Sequence, residues 1–258
     1  MSYETMIYDK EDGIAIVRLN RPESLNSINT TMQAEMKEIW DDIEQDRNIR
    51  VIIITGGEKC FSAGADIKEK FPPGVTRPSS RDIFKRIEDD DRPSIAAISG
   101  YALGAGLELA LCCDLRIASN TARLGLVEVR RGTAPGAGGM QRLPRIVGIT
   151  KAKEMIYMAE VIDAEEAFRL DLVNKVVPVT SLMDEAKKMA NVLIEMPPHS
   201  LKIAKRCINE GMQLNLTSAL KLDAIIKAEE LSAPLAKANF EEGRKAFAEK
   251  RKPVWKVS

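Results

Sequence analysis

Four short runs of β-branched and aliphatic residues, "IAIVRLN" (14–20), "VIIIT" (51–55), "PSIAAIS" (93–99) and "LRIAS" (115–119), recur through the first half of the chain. Runs so short and so apolar read as strands, and the segment between the first two carries Met32, Met36, Ile39, Trp40 and Ile43 at helical spacing. The order β, α, β resumes after residue 93 and commits the chain to an α/β sheet. Gly64, Gly100 and Gly104 fall just after strands and mark turns. In open α/β sheets, strand ends that meet glycine turns and helix N-termini are where sites are built.

Beyond about residue 147 the pattern becomes helical, through "TKAKEMIYMAE", "DAEEAFRLD", "SLMDEAKKMANVLIEM", "SLKIAKRCINEGM", "LTSALKLDAIIKAEEL" and "ANFEEGRKAFAEKR". Only "NKVVPV" there reads as a strand. The prolines, glycine and serines of "FPPGVTRPSSRD" (71–82) predict a mobile loop. At 258 residues the chain suits one large α/β domain, or one domain with a helical appendage.

Several functions are disfavoured by composition. Lys plus Arg and Asp plus Glu both total 38, so no net field recommends nucleic acid or an anionic membrane. The start "MSYETMIYDKEDG" lacks a secretory pattern, and no apolar run approaches the ~20 residues of a membrane span. A cytoplasmic protein is expected. Cys60, Cys112, Cys113 and Cys207 lack CxxC spacing and read as reduced packing residues. His199 is the sole histidine, expected in a loop before a helix, so a multi-histidine metal site lacks material and a charge relay would have to rely on that one loop residue. Neither GxGxxG, GxxxxGK[ST] nor GxSxG occurs. Carboxylates remain.

Two turns stand out, "FSAGADIK" (61–68) and "GYALGAGLE" (100–108), each with small residues after a strand. Backbone N–H groups there can approach a ligand unobstructed by Cβ atoms, and two such turns can aim two amides at one oxygen. Donors already pointing at an oxygen that gains charge stabilise it, and the second turn also opens a helix whose dipole adds to the effect. Taken singly, either turn serves equally as a place where backbones pack closely. Glu108 follows within the first helical turn, among Leu107, Leu109, Ala110 and Leu111, and is expected to be buried. A buried carboxylate needs a partner or a task. Stabilising the helix start is the plainer role. Glu128, in "LGLVEVRRGTAPGAGG" (124–139), is the second candidate, with a salt bridge to Arg130 or Arg131 as its alternative.

With these residues in view, the chain resembles the crotonase superfamily, the enoyl-CoA hydratase/isomerase family, from end to end. The resemblance is carried by "LNRPESLNSIN", "VIIITGGEKCFSAGADIKE", "PSIAAISGYALGAGLELALCCDLRIAS", "GLVEVRRGTAPGAGGMQRLPRIVG" and "EEGRKAFAEKRKPVW". It implies an α/β crotonase (ClpP/crotonase-like) spiral of ββα units, a catalytic core over 1–195 and a helical oligomerisation region over 196–258. It implies an oxyanion hole formed by the N–H groups of Ala65 and Ala105, directed at the thioester carbonyl of a coenzyme A ester. Glu108 then holds and deprotonates water while Glu128 delivers a proton to Cα. Ala63, Asp66, Ile67 and Lys68 line the CoA-binding turn, Gly136 begins the helix behind Glu128, and Lys250 lies near the CoA phosphates of a neighbouring subunit.

The activity so implied is an enoyl-CoA hydratase, a hydro-lyase giving 3-hydroxyacyl-CoA. It needs no metal or redox cofactor, and acts as a homo-oligomer, a trimer or a dimer of trimers (a homohexamer). The chain departs from the common family pattern at Ala105, within a frequent triple glycine, and at Leu124 and Val127, where Phe and Pro are frequent. Val127 bears on the tilt of Glu128, and Ala134 on the acyl pocket. The rival activities are a double-bond isomerase, for which Glu108 is superfluous, and a non-catalytic or RNA-binding member of the same fold.

Overall fold

The computed structural model describes residues 3–72, 74 and 78–256. Along the chain, β1 (Met6–Glu11) and β2 (Ile14–Leu19) form a hairpin, and α1 (Thr30–Gln45) leads to β3 (Val51–Thr55). Then α2 (Arg81–Asp89) precedes β4 (Ser94–Ile98), and β5 (Tyr101–Leu103) runs into α3 (Ala105–Cys112) before β6 (Leu115–Ser119) and β7 (Arg123–Gly125). Next come α4 (Gly139–Val147), α5 (Ile149–Tyr157), β8 (Ile162–Asp163), α6 (Ala164–Arg169) and β9 (Lys175–Val177). The described chain closes with α7 (Leu182–Ile194), α8 (Pro198–Gly211), α9 (Leu216–Ser232) and α10 (Pro234–Glu249).

The larger sheet has the order β1-β2-β3-β4-β6-β9, antiparallel in the hairpin and parallel elsewhere. All five residues of β3 are buried because both faces are covered. Val51 and Ile53 face the cluster with Leu182, Ala186 and Ala190 of α7; Ile52 and Ile54 face the cluster with Met36, Ile39 and Trp40 of α1. Burial is worth about 1.5–3 kcal/mol for each such side chain, and a one-residue slip would exchange the two faces, so the register is fixed from both sides. Asn29 caps α1, its side chain accepting from the Met32 N–H at 2.9 Å, and the five apolar residues read at helical spacing form its buried face.

A second layer produces the spiral. β5, β7 and β8 form a small sheet, and isolated bridges Ser62–Ala102 and Ile28–Ala65 extend it beyond β5. Each of β2, β3, β4 and β6 is thus followed by a short extended segment in the second layer, and successive turns of the chain stack. The three-residue strands β5 and β7 and the two-residue β8 were not expected, being too short for a period to show, nor was β1, whose six residues include only one that is buried and so form no apolar run. His199 lies inside α8, not ahead of it. The loop expected over 71–82 falls partly outside the described residues, and its last two positions already belong to α2. The four cysteines are free thiols, with Cys60, Cys112 and Cys113 buried. Among the described residues no helix is long and apolar enough to cross a membrane.

Candidate active site

Gly104 joins β5 to α3 at φ +52° and ψ −124°, a conformation strained for any residue with a Cβ. Its N–H donates to Gly125 O at 2.9 Å, which aligns the ends of β5 and β7, and its own carbonyl accepts from the Glu108 N–H at 2.9 Å. Glu128 opens a single 3-10 turn, Glu128–Arg131, just beyond β7. Its carboxyl lies over Gly104, where an added Cβ would stand 3.0 Å from Glu128 Oε1. The two glutamates therefore project from the ends of neighbouring parallel strands.

The turn after β3 packs on the same edge. The Ser62 N–H donates to Tyr101 O (2.8 Å) and the Leu103 N–H to Ser62 O (2.9 Å). A Cβ on Gly106 would lie 2.4 Å from Ser62 O, and one on Gly64, at φ +99°, would lie 2.7 Å from Leu103 O and 3.4 Å from Ala105 N. Only glycines let these backbones touch. The Ile28 N–H donates to Gly64 O and the Asp66 N–H to Ile28 O, so the strand-like bonding skips Ala65. Its N–H has no acceptor among the described residues, and neither has that of Ala105, the first residue of α3, where helix geometry leaves N–H groups free. Two adjacent turns present two unengaged donors.

Glu108 is 2% exposed, and its Oε1 accepts from the Ala137 and Gly139 N–H groups, both at 2.8 Å. Those amides belong to the entry of α4, where a Cβ on Gly139 would meet Glu108 Cγ at 3.0 Å and Leu126 Cδ1 at 2.9 Å. Oε2 receives no hydrogen bond from the described residues. Glu128 contrasts with it: its Oε2 is buried without a partner among the described residues. Burial above all, with the neighbouring charge of Glu108, pushes its pKa up to about 6 against the smaller opposing effects of its own backbone N–H and Arg131. The expected alternative of a salt bridge to Arg130 or Arg131 is not formed among the described residues: Arg130 donates to Ala159 O at 2.7 Å, and Arg131 reaches Glu128 only through its charge. Val127 sits at φ −105°, beyond the range a proline ring holds, so the turn that sets Glu128 is one that valine permits.

The remaining expected residues divide. Ala63, Ile67 and Lys68 lie on the turn carrying Ala65, with Ile67 63% exposed. Asp66 turns inward: Arg21 binds its carboxylate at 2.8 Å, and the Lys68 N–H donates to it at 3.0 Å. Burial would raise its pKa, but these hydrogen bonds and the Arg21 charge hold it below the usual range. Its side chain thus clasps the turn from behind. Gly136 does not begin a helix: α4 starts at Gly139 with Gly138 as its cap, and its entry meets Glu108, not Glu128. Gly136 is an exposed loop residue whose carbonyl accepts from Arg81 at 3.1 Å. Lys250 ends α10 in the left-handed region, at φ +54°, and is exposed.

Ala137 and Gly139 were missed as Glu108's holders; the paired glycines of "GAGGMQR" were the available signal. The sequence also concealed a clamp beneath them. Arg142 binds Glu88 of α2 through two bonds, of 2.8 and 2.7 Å, and donates to Ala137 O at 2.9 Å. Among the described residues no cluster of three His, Cys, Asp or Glu is placed to hold a metal ion.

The family model described as Enoyl-CoA hydratase/isomerase matches residues 9–258. The chain belongs to the enoyl-CoA hydratase/isomerase family. Curated members similar to it include a crotonyl-CoA hydratase of Syntrophomonas wolfei, 41% identical over 98% of both chains. A short-chain-enoyl-CoA hydratase of Clostridium acetobutylicum is 40% identical over 98% of this chain and 97% of its own. Among solved family structures, an enoyl-CoA hydratase from Bacillus anthracis superposes with a TM-score of 0.89 at 37% identity, covering 99% of this chain and 100% of that one. The crotonase-type spiral expected from the sequence is thus the fold of the family.

Proposed function

We propose that the protein is an enoyl-CoA hydratase, adding water reversibly across the α,β double bond of a 2-enoyl-CoA to give a 3-hydroxyacyl-CoA. The observation that carries this reading is the complementary state of two carboxyls beside two free amides. Glu108 has one oxygen held and the other open, while burial favours the protonated form of Glu128. Water bound at Glu108 Oε2 gives up a proton as its oxygen bonds to Cβ, and Glu128 delivers a proton to Cα. The charge that develops on the thioester oxygen meets the N–H groups of Ala65 and Ala105, whose contact strengthens in the transition state. An isomerase would need one of these carboxyls; the held position of Glu108 favours hydration.

Coenzyme A enters with the substrate, so the reaction calls for no separate metal or redox group. The names of the two curated relatives recommend short-chain acyl groups as first candidates. The turn at Ala63 to Lys68 is the CoA-facing segment in this reading, with Lys250 as a phosphate contact in a neighbouring subunit. We take residues 196–258 as the oligomerisation region of a trimer or dimer of trimers. That reading draws on Ile208 (63% exposed), Leu216 (74%), Phe240 (61%) and Phe247 (89%), apolar area that a monomer would leave in water. A cytoplasmic location accords with free thiols.

Purified protein incubated with linear enoyl-CoA esters of increasing length, beginning with crotonyl-CoA, and with cyclic ones tests the assignment by product mass. Gain of one water is expected. An unchanged mass with a shifted double bond would establish the isomerase, and salt-dependent RNA binding without CoA-ester binding would establish a scaffold.

A further inference from the structure

We propose that Arg142, braced by Glu88, is a positioning residue that aims Glu108 at its water without touching substrate. The inference rests on the hydratase reading of Glu108. The geometry forms a chain of three links. Glu88, in the last turn of α2, takes two bonds from the Arg142 guanidinium; the third arm of that guanidinium, Nη1, holds Ala137 O; and the Ala137 and Gly139 N–H groups hold Glu108 Oε1. Among the described residues the main chain secures only the middle of the loop, where Gly138 O accepts from the Gln141 and Arg142 N–H groups at 2.9 Å. Arg142 Nη1 holds the Ala137–Gly138 peptide, which lies between the two peptides whose N–H groups meet Glu108, while Gly136 O, on the peptide that carries the Ala137 N–H, accepts from Arg81 Nη2 at 3.1 Å.

Two further features fit this task. Gly138, at φ +110°, gives the guanidinium passage, since a Cβ there would stand 2.0 Å from Arg142 Nη1. Glu88 is partly buried, and although burial alone would raise its pKa, the bonds and charge of Arg142 bring it below the usual value. A planar fork holding a carboxylate at two points and a carbonyl at a third fixes a loop in a way a lysine cannot. The charged and titratable groups that act on Arg142 are Glu88, Cys112 and Glu108, and those that act on Glu88 are Arg142, Lys85 and Lys205.

The test is a double-mutant cycle on hydration. Arg142→Met should lower kcat roughly 10–100-fold with KM little changed, the size expected of a catalytic group displaced by about an ångström. In a Glu108→Gln background the same change should cost nothing further, because the group it positions has gone. Arg142→Lys and Glu88→Gln, which disturb packing less, should show the same kcat-only pattern at smaller amplitude, and they carry the test if Arg142→Met fails to fold. Equal fractional losses in both backgrounds would make the clamp a structural brace alone and overturn the inference. A parent-like kcat for Arg142→Met would do the same. Glu108→Gln hydrating at the parent rate would instead overturn the hydratase reading of Glu108, and this inference with it.

Discussion

Glu108 stands on a helix with one oxygen bound by two amides, whereas Glu128 stands on a single 3-10 turn with a buried oxygen that meets no donor among the described residues. Both follow parallel strands, and each leans on a glycine: Gly139 against Glu108 and Gly104 against Glu128. The difference lies in what each glycine contributes. Gly139 brings an N–H to a carboxylate oxygen; Gly104 removes a side chain so that a carboxyl can be buried. In the proposed hydration one carboxyl serves as a fixed acceptor and the other as a proton carrier, a division that two residues of the same type would owe to their backbones.

The sharpest way to break this contrast is to neutralise each carboxyl in turn. Glu108→Gln should slow hydration by roughly 10²–10⁴-fold while leaving exchange of the α-proton of a saturated acyl-CoA with deuterated solvent largely intact. Glu128→Gln should suppress both. Equal effects on exchange in the two variants would mean that the roles are not divided.

Next in size are the glycines. Gly139→Ala should lower kcat by about 10–100-fold through displacement of Glu108, with the fold preserved by circular dichroism. Gly104→Ala must also bear a backbone conformation unsuited to alanine, so it should cost about 1–3 kcal/mol of stability in urea unfolding besides activity. A Gly104→Ala variant as stable as the parent would show that the strand end can relax.

The smallest effect is a proton linkage. Glu128 has a folded pKa of about 6 against 4.5 as its ordinary value, so between those values the folded protein binds more protons than the unfolded chain. This contribution to stability is fully present below about 4.5 and is lost as pH rises through about 6. The stability of the parent relative to Glu128→Gln should accordingly decline over that window. A flat difference would place the Glu128 carboxyl in solvent.

Much of this arrangement is legible in the sequence, and the rest is hidden for identifiable reasons. β2, β3, β4 and β6 show themselves because burial on both faces demands unbroken apolar runs, and Glu108 shows itself as a charge inside one. β5 and β7 are three residues each, defined by pairing with one another and not by any local pattern. The donors to Glu108 come from about thirty residues downstream, and the Arg142–Glu88 pair spans 54 positions, so only folding reveals them. Asp66 shows a different limit: its place on the turn was legible, but the direction of its side chain, which pairs with Arg21, was not.

The two free amides have a consequence for how such a chain can change. A carboxyl is deleted by a single substitution, but a main-chain N–H survives every replacement except proline. The donors of Ala65 and Ala105 are therefore the durable part of the site, while Glu108 and Glu128 are its replaceable part. If these amides hold a thioester oxygen as proposed, descendants of this chain that lost either glutamate would keep that hold, and new side chains on the same turns could put the polarised thioester to other uses.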